Sequence, residues 1–366
     1  MFIFLVNSVK EALLVKFQIN DMDGWARSGT FSVNGKKLQS PCIFLGHSFN
    51  RGNPLSWHYF NVESLLINAY DLSVQKIDFA RVRNILDFNG VLMMDSGGYQ
   101  IQRFKRKINR KSIIQIQEKS KPDIAIPLDY PLTPKMNNFE INKNIERTSK
   151  NNEYWRDYYP SDFFPVIHGY NEKYLINQIN NLDNPDFLAI GSFVPILMYS
   201  DRKRLVDLLI TIRKKYPDIF IHFFGVSYLV AYLLFLLGAD SVDTSAHLHN
   251  ARYGSVHLRH TGPRAIASNT KKRKRPSAHK ILDEEAFLNE SCGCPVCHYL
   301  EFDSLKVRGV RGLQLRGIHN AWVYKSAPTE LRKTIKEKKT AKVVEKIFSQ
   351  SGLHYLYKYA KQRYLT

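Results

Sequence analysis

The stretch IFIHFFGVSYLVAYLLFLLGA, residues 219–239, decides how the chain folds. It is almost uncharged and long enough for a bilayer-spanning helix, which needs about 20 apolar residues. Its punctuation argues against that. Gly225 and Ser227 interrupt the run, and Asp218 and Asp240 bracket it. Its halves also differ: Ile219–Phe224, closed by Gly225, reads as a buried strand, and Tyr228–Leu237, ending at Gly238, as an apolar helix. A strand leading into a core helix is the unit of an α/β protein, and the punctuation favours it over a membrane-spanning helix.

The same alternation extends outward in both directions. Short apolar runs at Cys42–Leu45, Leu65–Asn68, Val91–Met94, Ile124–Leu128, Phe164–Ile167, Phe187–Ile190, Ile219–Phe224 and Ser241–Asp243 are bounded by turn residues or charges. Several are near-continuous Val, Ile, Leu and Phe, as in parallel strands buried on both faces. Lys111–Lys119 and Asp201–Lys215 have the mixed apolar and charged spacing of covering helices. Eight such units predict a (β/α)8 barrel, with an open doubly wound sheet as the alternative.

The chain has 366 residues with 53 Lys+Arg against 33 Asp+Glu, a net charge of +20. Hydrophobic residues at 44% and aromatics at 13% suffice for a large core and exclude a disordered chain. The basic balance points to a polyanionic partner, either nucleic acid or an anionic membrane surface; a basic surface kept for solubility is the bland alternative. Met1–Val6 is apolar but short and lacks a basic leader, so no signal peptide is expected. The run Lys271–Arg275 reads either as a phosphate contact or as a solvated loop. From Glu330 to Arg363, interleaved Lys and apolar residues predict one or two basic amphipathic helices.

Cysteine usage sharpens the picture. Cys292, Cys294 and Cys297 lie too close together for a disulfide framework, and with His319 they have the makings of a closed tetrahedral zinc site. His298 is an alternative fourth ligand, although its adjacency to Cys297 makes the geometry awkward. Thiolate metal ligands suit a reducing, cytoplasmic setting.

In a barrel, functional side chains stand at the C-terminal ends of the strands. Reading off those ends gives Asp95, Asp129, His168, Gly191 and Asp243. Any one Asp there could simply cap a helix. Three carboxylates and a histidine at one mouth suit glycosidic chemistry, in which one carboxylate attacks an anomeric carbon and another manages the leaving group's proton.

Asp95 opens the segment Asp95-Ser96-Gly97-Gly98-Tyr99-Gln100. This segment resembles the Asp-Ser-Gly-Gly-Phe-Gln signature of the queuine/archaeosine-type tRNA-guanine transglycosylases and their DNA-acting relatives, which insert 7-deazaguanines. The resemblance runs from about Gly29 to Ser326. It takes in residues 65–72, Gly238–Asp243 with Ala251 and Arg252 downstream, and the cysteine cluster with Ile318-His319-Asn320. It implies that Asp243 is the nucleophile on C1′, with Asp240 a rival by sequence, and that Asp95 is the acid/base. It further implies that Asp129 reads the guanine edge, that Tyr99 stacks on the base, and that Ser96, Gly97 and Gly191 line the pocket. One structural zinc and a possible homodimer built partly on the zinc subdomain are implied as well.

The chain departs from the family at two places. His168 stands where a Gln is usual and is expected to donate to the base carbonyl. Ser192 stands where the bacterial tRNA enzymes carry a Glu suited to an aminomethyl substituent, which favours 7-cyano-7-deazaguanine as the incoming base. Fewer than fifty residues follow His319, too few for the C-terminal RNA-binding domains of the archaeal enzymes. Duplex DNA is therefore expected ahead of tRNA as the polynucleotide, with no membrane partner. A zinc-stapled nucleic-acid-binding protein without catalysis is the remaining alternative. The expected division is an N-terminal extension (1–28), a catalytic barrel (29–260), a basic loop and zinc subdomain (261–326), and a helical tail (327–366).

Overall fold

The computed structural model describes residues 16–183, 185–194, 202–266, 284–288 and 292–364. The run Lys271–Arg275 and the segment Met1–Val6 lie outside the described residues.

Eight parallel strands form the central sheet: β4 (Cys42–Gly46), β5 (Ser64–Asn68), β6 (Val91–Asp95), β7 (Ile124–Ala125), β8 (Val166–His168), β9 (Phe187–Gly191), β10 (Phe220–Phe223) and β11 (Ser241–Thr244). Their spatial order, 7-6-5-4-11-10-9-8, is cyclic in sequence, because β11 pairs with β4. The ring closes between β7 and β8 through a parallel bridge from Ala125 to Phe163 and a hydrogen bond from Phe164 N to the Ala125 carbonyl at 3.0 Å. The fold is a (β/α)8 barrel.

The seam strands are shorter than the sequence predicts, two residues in place of Ile124–Leu128 and Val166–His168 in place of Phe164–Ile167. Pro127 and Pro165 lack the N–H that would extend the ladder there, so the barrel is laced only briefly at this point. The segment 219–239 is strand β10 followed by the helix Tyr228–Leu236, all but one of whose residues are buried. Among the described residues no helix is long and apolar enough to cross a membrane.

Alternation along the strands sorts two cores. Ile43, Leu45, Leu65, Ile67, Leu92, Met94, Ile221 and Val242 face the surrounding helices. Phe44, Leu66, Met93, Ile124, Val166, Ala189 and Phe220 fill the barrel interior. A three-stranded antiparallel sheet, β1 (Lys16–Asp23), β2 (Ala26–Val33) and β3 (Lys36–Ser40), seals the end where the strands begin. Its Phe31 enters that interior and packs on Phe164, Phe187 and Phe220 with ring centroids 4.9–5.8 Å apart. The end of the barrel where the strands begin is thus plugged with aromatics.

Elements and expected boundaries do not coincide everywhere. Position 28 falls inside β2, and position 326 falls inside one continuous helix, Gly309–Lys336. That helix carries His319 and packs against β4 and the helix Ala246–Arg252. Two further helices, Thr340–Ser349 and His354–Tyr364, complete the basic end.

Candidate active site and metal centre

The inward-facing position two residues beyond the apolar filling is polar on strand after strand. Leu66 is followed by Asn68, Met93 by Asp95, Val166 by His168 and Phe220 by His222. Asp243 pairs in register with inward-facing Phe44, Asp95 with Asn68, and Gly191 with His168. Period-two geometry thus places a ring of mostly polar groups at the C-terminal end of the strands.

Asp95 is held at its root. Its Oδ2 accepts from Asn68 Nδ2 at 2.9 Å and from Gly97 N at 3.2 Å. Even so, burial, and after it the negative charges of Asp129 and Asp243, push its carboxyl well above the usual carboxylate range. The glycines of the following turn have separate purposes. Gly97 sits at φ +91°, a conformation that favours glycine, and begins the helix Gly98–Arg103. Gly98 lets Asp129 approach, since a Cβ there would stand 2.0 Å from Asp129 Oδ1. Ser96 Oγ donates to that same Oδ1 at 3.1 Å. Tyr99, on the first turn of the helix, is about half exposed at the mouth.

His168 is fully buried between Ser192 and Asp129, with Nδ1 2.9 Å from Ser192 Oγ and Nε2 3.2 Å from Asp129 Oδ2. Gly191 makes room for that ring, since a Cβ there would lie 2.5 Å from it. Asp243 Oδ1 accepts from Gly225 N at 2.8 Å and faces His222 Nε2 at 3.6 Å. His222 Nδ1 lies 2.8 Å from Ser241 Oγ.

Asp240, the rival nucleophile, is elsewhere. It precedes β11 at the plugged end and receives Arg27 through Nε and a terminal nitrogen, both at 2.7 Å. Arg213 at 3.1 Å and Ile221 N at 2.8 Å complete its partners. Fully buried and fully paired, it is a structural ion cluster.

Sequence reading missed two residues of the site. Asn68 ends a strand by the same rule that found Asp95, but its neutral amide drew no attention. His222 was hidden in an apolar run, where a lone polar residue was itself the signal.

The Sγ atoms of Cys292, Cys294 and Cys297 and Nδ1 of His319 lie within 4.8 Å of one another. The sulfur-to-nitrogen distances are 3.6, 3.5 and 3.1 Å. A tetrahedral zinc with bonds of about 2.3 Å to sulfur and 2.0 Å to nitrogen has S···N edges of about 3.5 Å, so the cluster fits the ion. His319 Nε2 is fixed by the His257 carbonyl at 2.6 Å, the outer partner that orients a ligating imidazole. His298 is outside the cluster and turns its ring to Tyr299.

Cations flank the mouth. Arg103 ends the Gly98 helix and Lys105, Arg106 and Lys107 follow it, all exposed.

Comparison with known proteins identifies a family. A family model described as queuine tRNA-ribosyltransferase matches residues 21–352. Similar curated proteins are the tRNA-guanine(15) transglycosylases of Pyrococcus furiosus, 23% identical over 91% of this chain and 56% of that protein, and of Pyrococcus abyssi, 23% identical over 94% and 58%. The counterpart from Korarchaeum cryptofilum is 25% identical over 87% of this chain and 54% of its own length. The chain therefore spans little more than half the length of the curated relatives it matches.

Proposed function

The chain belongs to the queuine tRNA-ribosyltransferase family, and from that premise we propose that it exchanges guanine in a polynucleotide for a free 7-deazaguanine base. The observation that carries this reading is the convergence of Asp95, Asp129 and Asp243 at the mouth, with the Asp95 carboxyl raised by burial and then by its two acidic neighbours.

A carboxylate oxygen of Asp243 attacks C1′ as the C1′–N9 bond breaks, giving a glycosyl-enzyme ester. Asp95, favoured in its protonated form, gives its proton to the departing guanine. The incoming base then loses its N9 proton to Asp95 as N9 attacks C1′ and Asp243 is released. Two displacements at one carbon retain the anomeric configuration. Asp129 accepts from the donor edge of the base, N1–H and the 2-amino group, which two carboxylate oxygens match. Tyr99 offers a stacking face.

For the polynucleotide we favour tRNA. The relatives from Pyrococcus furiosus, Pyrococcus abyssi and Korarchaeum cryptofilum are named for tRNA, and nothing in them supports the duplex DNA expected from the sequence. Arg103, Lys105, Arg106 and Lys107 supply phosphate contacts beside the pocket. Ser192, uncharged and engaged with Leu132 N at 2.7 Å, favours a neutral substituent on the incoming base, the nitrile of 7-cyano-7-deazaguanine. The cysteine cluster and His319 would hold a structural zinc, whose four protein ligands leave no position for water.

The test is incorporation of radiolabelled guanine into unmodified tRNA and duplex DNA in parallel. Label in tRNA alone is expected. Label in DNA alone would restore the DNA reading, and label in neither would remove the exchange reading.

A further inference from the structure

We infer that His168 and His222 are paired positioning residues, each locked in its Nε2–H tautomer by a serine and each aiming that proton at a working carboxylate. The inference deepens the exchange reading and rests on it for the roles of Asp129 and Asp243.

The two arrangements repeat one another on different strands. Ser192 Oγ lies 2.9 Å from His168 Nδ1, and His168 Nε2 lies 3.2 Å from Asp129 Oδ2. Ser241 Oγ lies 2.8 Å from His222 Nδ1, and His222 Nε2 lies 3.6 Å from Asp243 Oδ1. Both imidazoles are fully buried. Both Nε2 atoms lack a formed hydrogen bond among the described residues, so each is a buried polar atom facing a carboxylate.

The tautomer follows from pairing. An unprotonated Nε2 would set its lone pair against a carboxylate oxygen, whereas Nε2–H is attracted to it. Nδ1 must then accept, and the serine hydroxyl must donate. Ser192 is prepared for this, because its oxygen already accepts the Leu132 N–H and its own proton remains to be given. Without the hydroxyl, the ring could take either tautomer.

Each line does different work. Asp243 Oδ1 is engaged by Gly225 N and His222, which leaves Oδ2 for attack on C1′. Asp129 takes Ser96 on Oδ1 and His168 on Oδ2, which turns the remaining lone pairs of both oxygens towards a two-donor base edge. His168 therefore serves the carboxylate that reads the base, and its proton is not free for the base carbonyl. Long, oblique contacts of this kind are common in empty sites and tighten when substrate binds. The histidine lines are thus distinguishable: the first sets base affinity and the second sets the rate of the chemical step.

The test combines a spectroscopic and a kinetic readout. Long-range 1H–15N spectra of the full chain labelled in histidine, with His168→Gln and His222→Gln for assignment, are expected to show both protons on Nε2. Ser192→Ala should release the His168 tautomer, and Ser241→Ala that of His222. Either ring carrying its proton on Nδ1 alone in the unaltered protein would overturn the inference, whether or not exchange occurs. Absence of guanine exchange by the unaltered protein would instead count against the functional reading. In steady state, Ser192→Ala should raise the guanine KM about tenfold with kcat within about twofold, the worth of one hydrogen bond. Ser241→Ala should lower kcat about tenfold at unchanged guanine KM. Threonine at either position restores the hydroxyl and should recover most of each loss. Identical effects of the two alanines on KM and kcat, or no recovery by threonine, would refute the division of labour.

Discussion

Asp240, just before β11, and Asp243, within it, are three residues apart and have opposite fates. Asp240 enters the plugged end of the barrel and is met by Arg27, Arg213 and the Ile221 amide. Asp243 leaves at the mouth with one backbone donor and a histidine nitrogen at 3.6 Å. Satisfaction separates structure from chemistry here. A carboxylate whose lone pairs are all taken stabilises the fold, and one with lone pairs to spare can form a bond.

Asp243→Asn breaks this comparison at its reactive end. Exchange should fall by about 10⁴-fold or more, with unfolding stability within about 1 kcal/mol of the unaltered protein. Kinetics and urea titration on the same preparations check both halves. Cys294→Ser adds a second satisfied cluster to the comparison. It should release about one zinc per chain, measured by emission spectroscopy, and cost several kcal/mol of stability, because binding of a structural zinc is linked to folding. Asp240→Asn is the mirror of the first variant. Two buried guanidinium groups would lose their counter-charge at a cost of about 3–5 kcal/mol, while the protein that remains folded should exchange guanine normally. Burial already draws Arg213 down to about 10, against the opposing pull of Asp240. A stable Asp240→Asn protein without activity would reverse the two roles.

How far these roles could be read in advance depends on how locally each is encoded. The eight strands were legible because both faces of a parallel sheet are buried, so Val91–Met94 or Phe187–Ile190 can be little else. The seam was misjudged because the apolar runs cross Pro127 and Pro165, which cannot donate to the ladder, so β7 stops before Pro127 and β8 begins only after Pro165. Asp95 and Asp243 were legible by position at strand ends. The choice between Asp240 and Asp243 was not settled by residues alone, because it depends on Arg27, more than two hundred residues away in sequence. His222 and Asn68 escaped for the same reason, since their meaning comes from which carboxylate the barrel brings to them.

The smallest effect has an informative sign. The folded-state pKa of Asp95 lies above its unfolded value, so the native state binds the extra proton and loses stability as pH rises from the ordinary carboxylate range towards that raised pKa. Asp95→Asn should therefore abolish most exchange yet raise the melting temperature at neutral pH, a gain that vanishes in acid, where both forms are uncharged. Calorimetry at neutral and acidic pH checks this. A melting temperature that falls at neutral pH would mean that the bonds from Asn68 and Gly97 outweigh the burial cost and the repulsion.

The central claim is that Asp243 carries the covalent step, and capture of the intermediate tests it most directly. The full chain incubated with unmodified tRNA, without added free base, is denatured and digested, and the modified peptide is sequenced by mass spectrometry. A ribosyl ester on Asp243, lost in Asp243→Asn and retained in Asp240→Asn, is the predicted result. An adduct on Asp240, or one that persists in Asp243→Asn, would contradict the account.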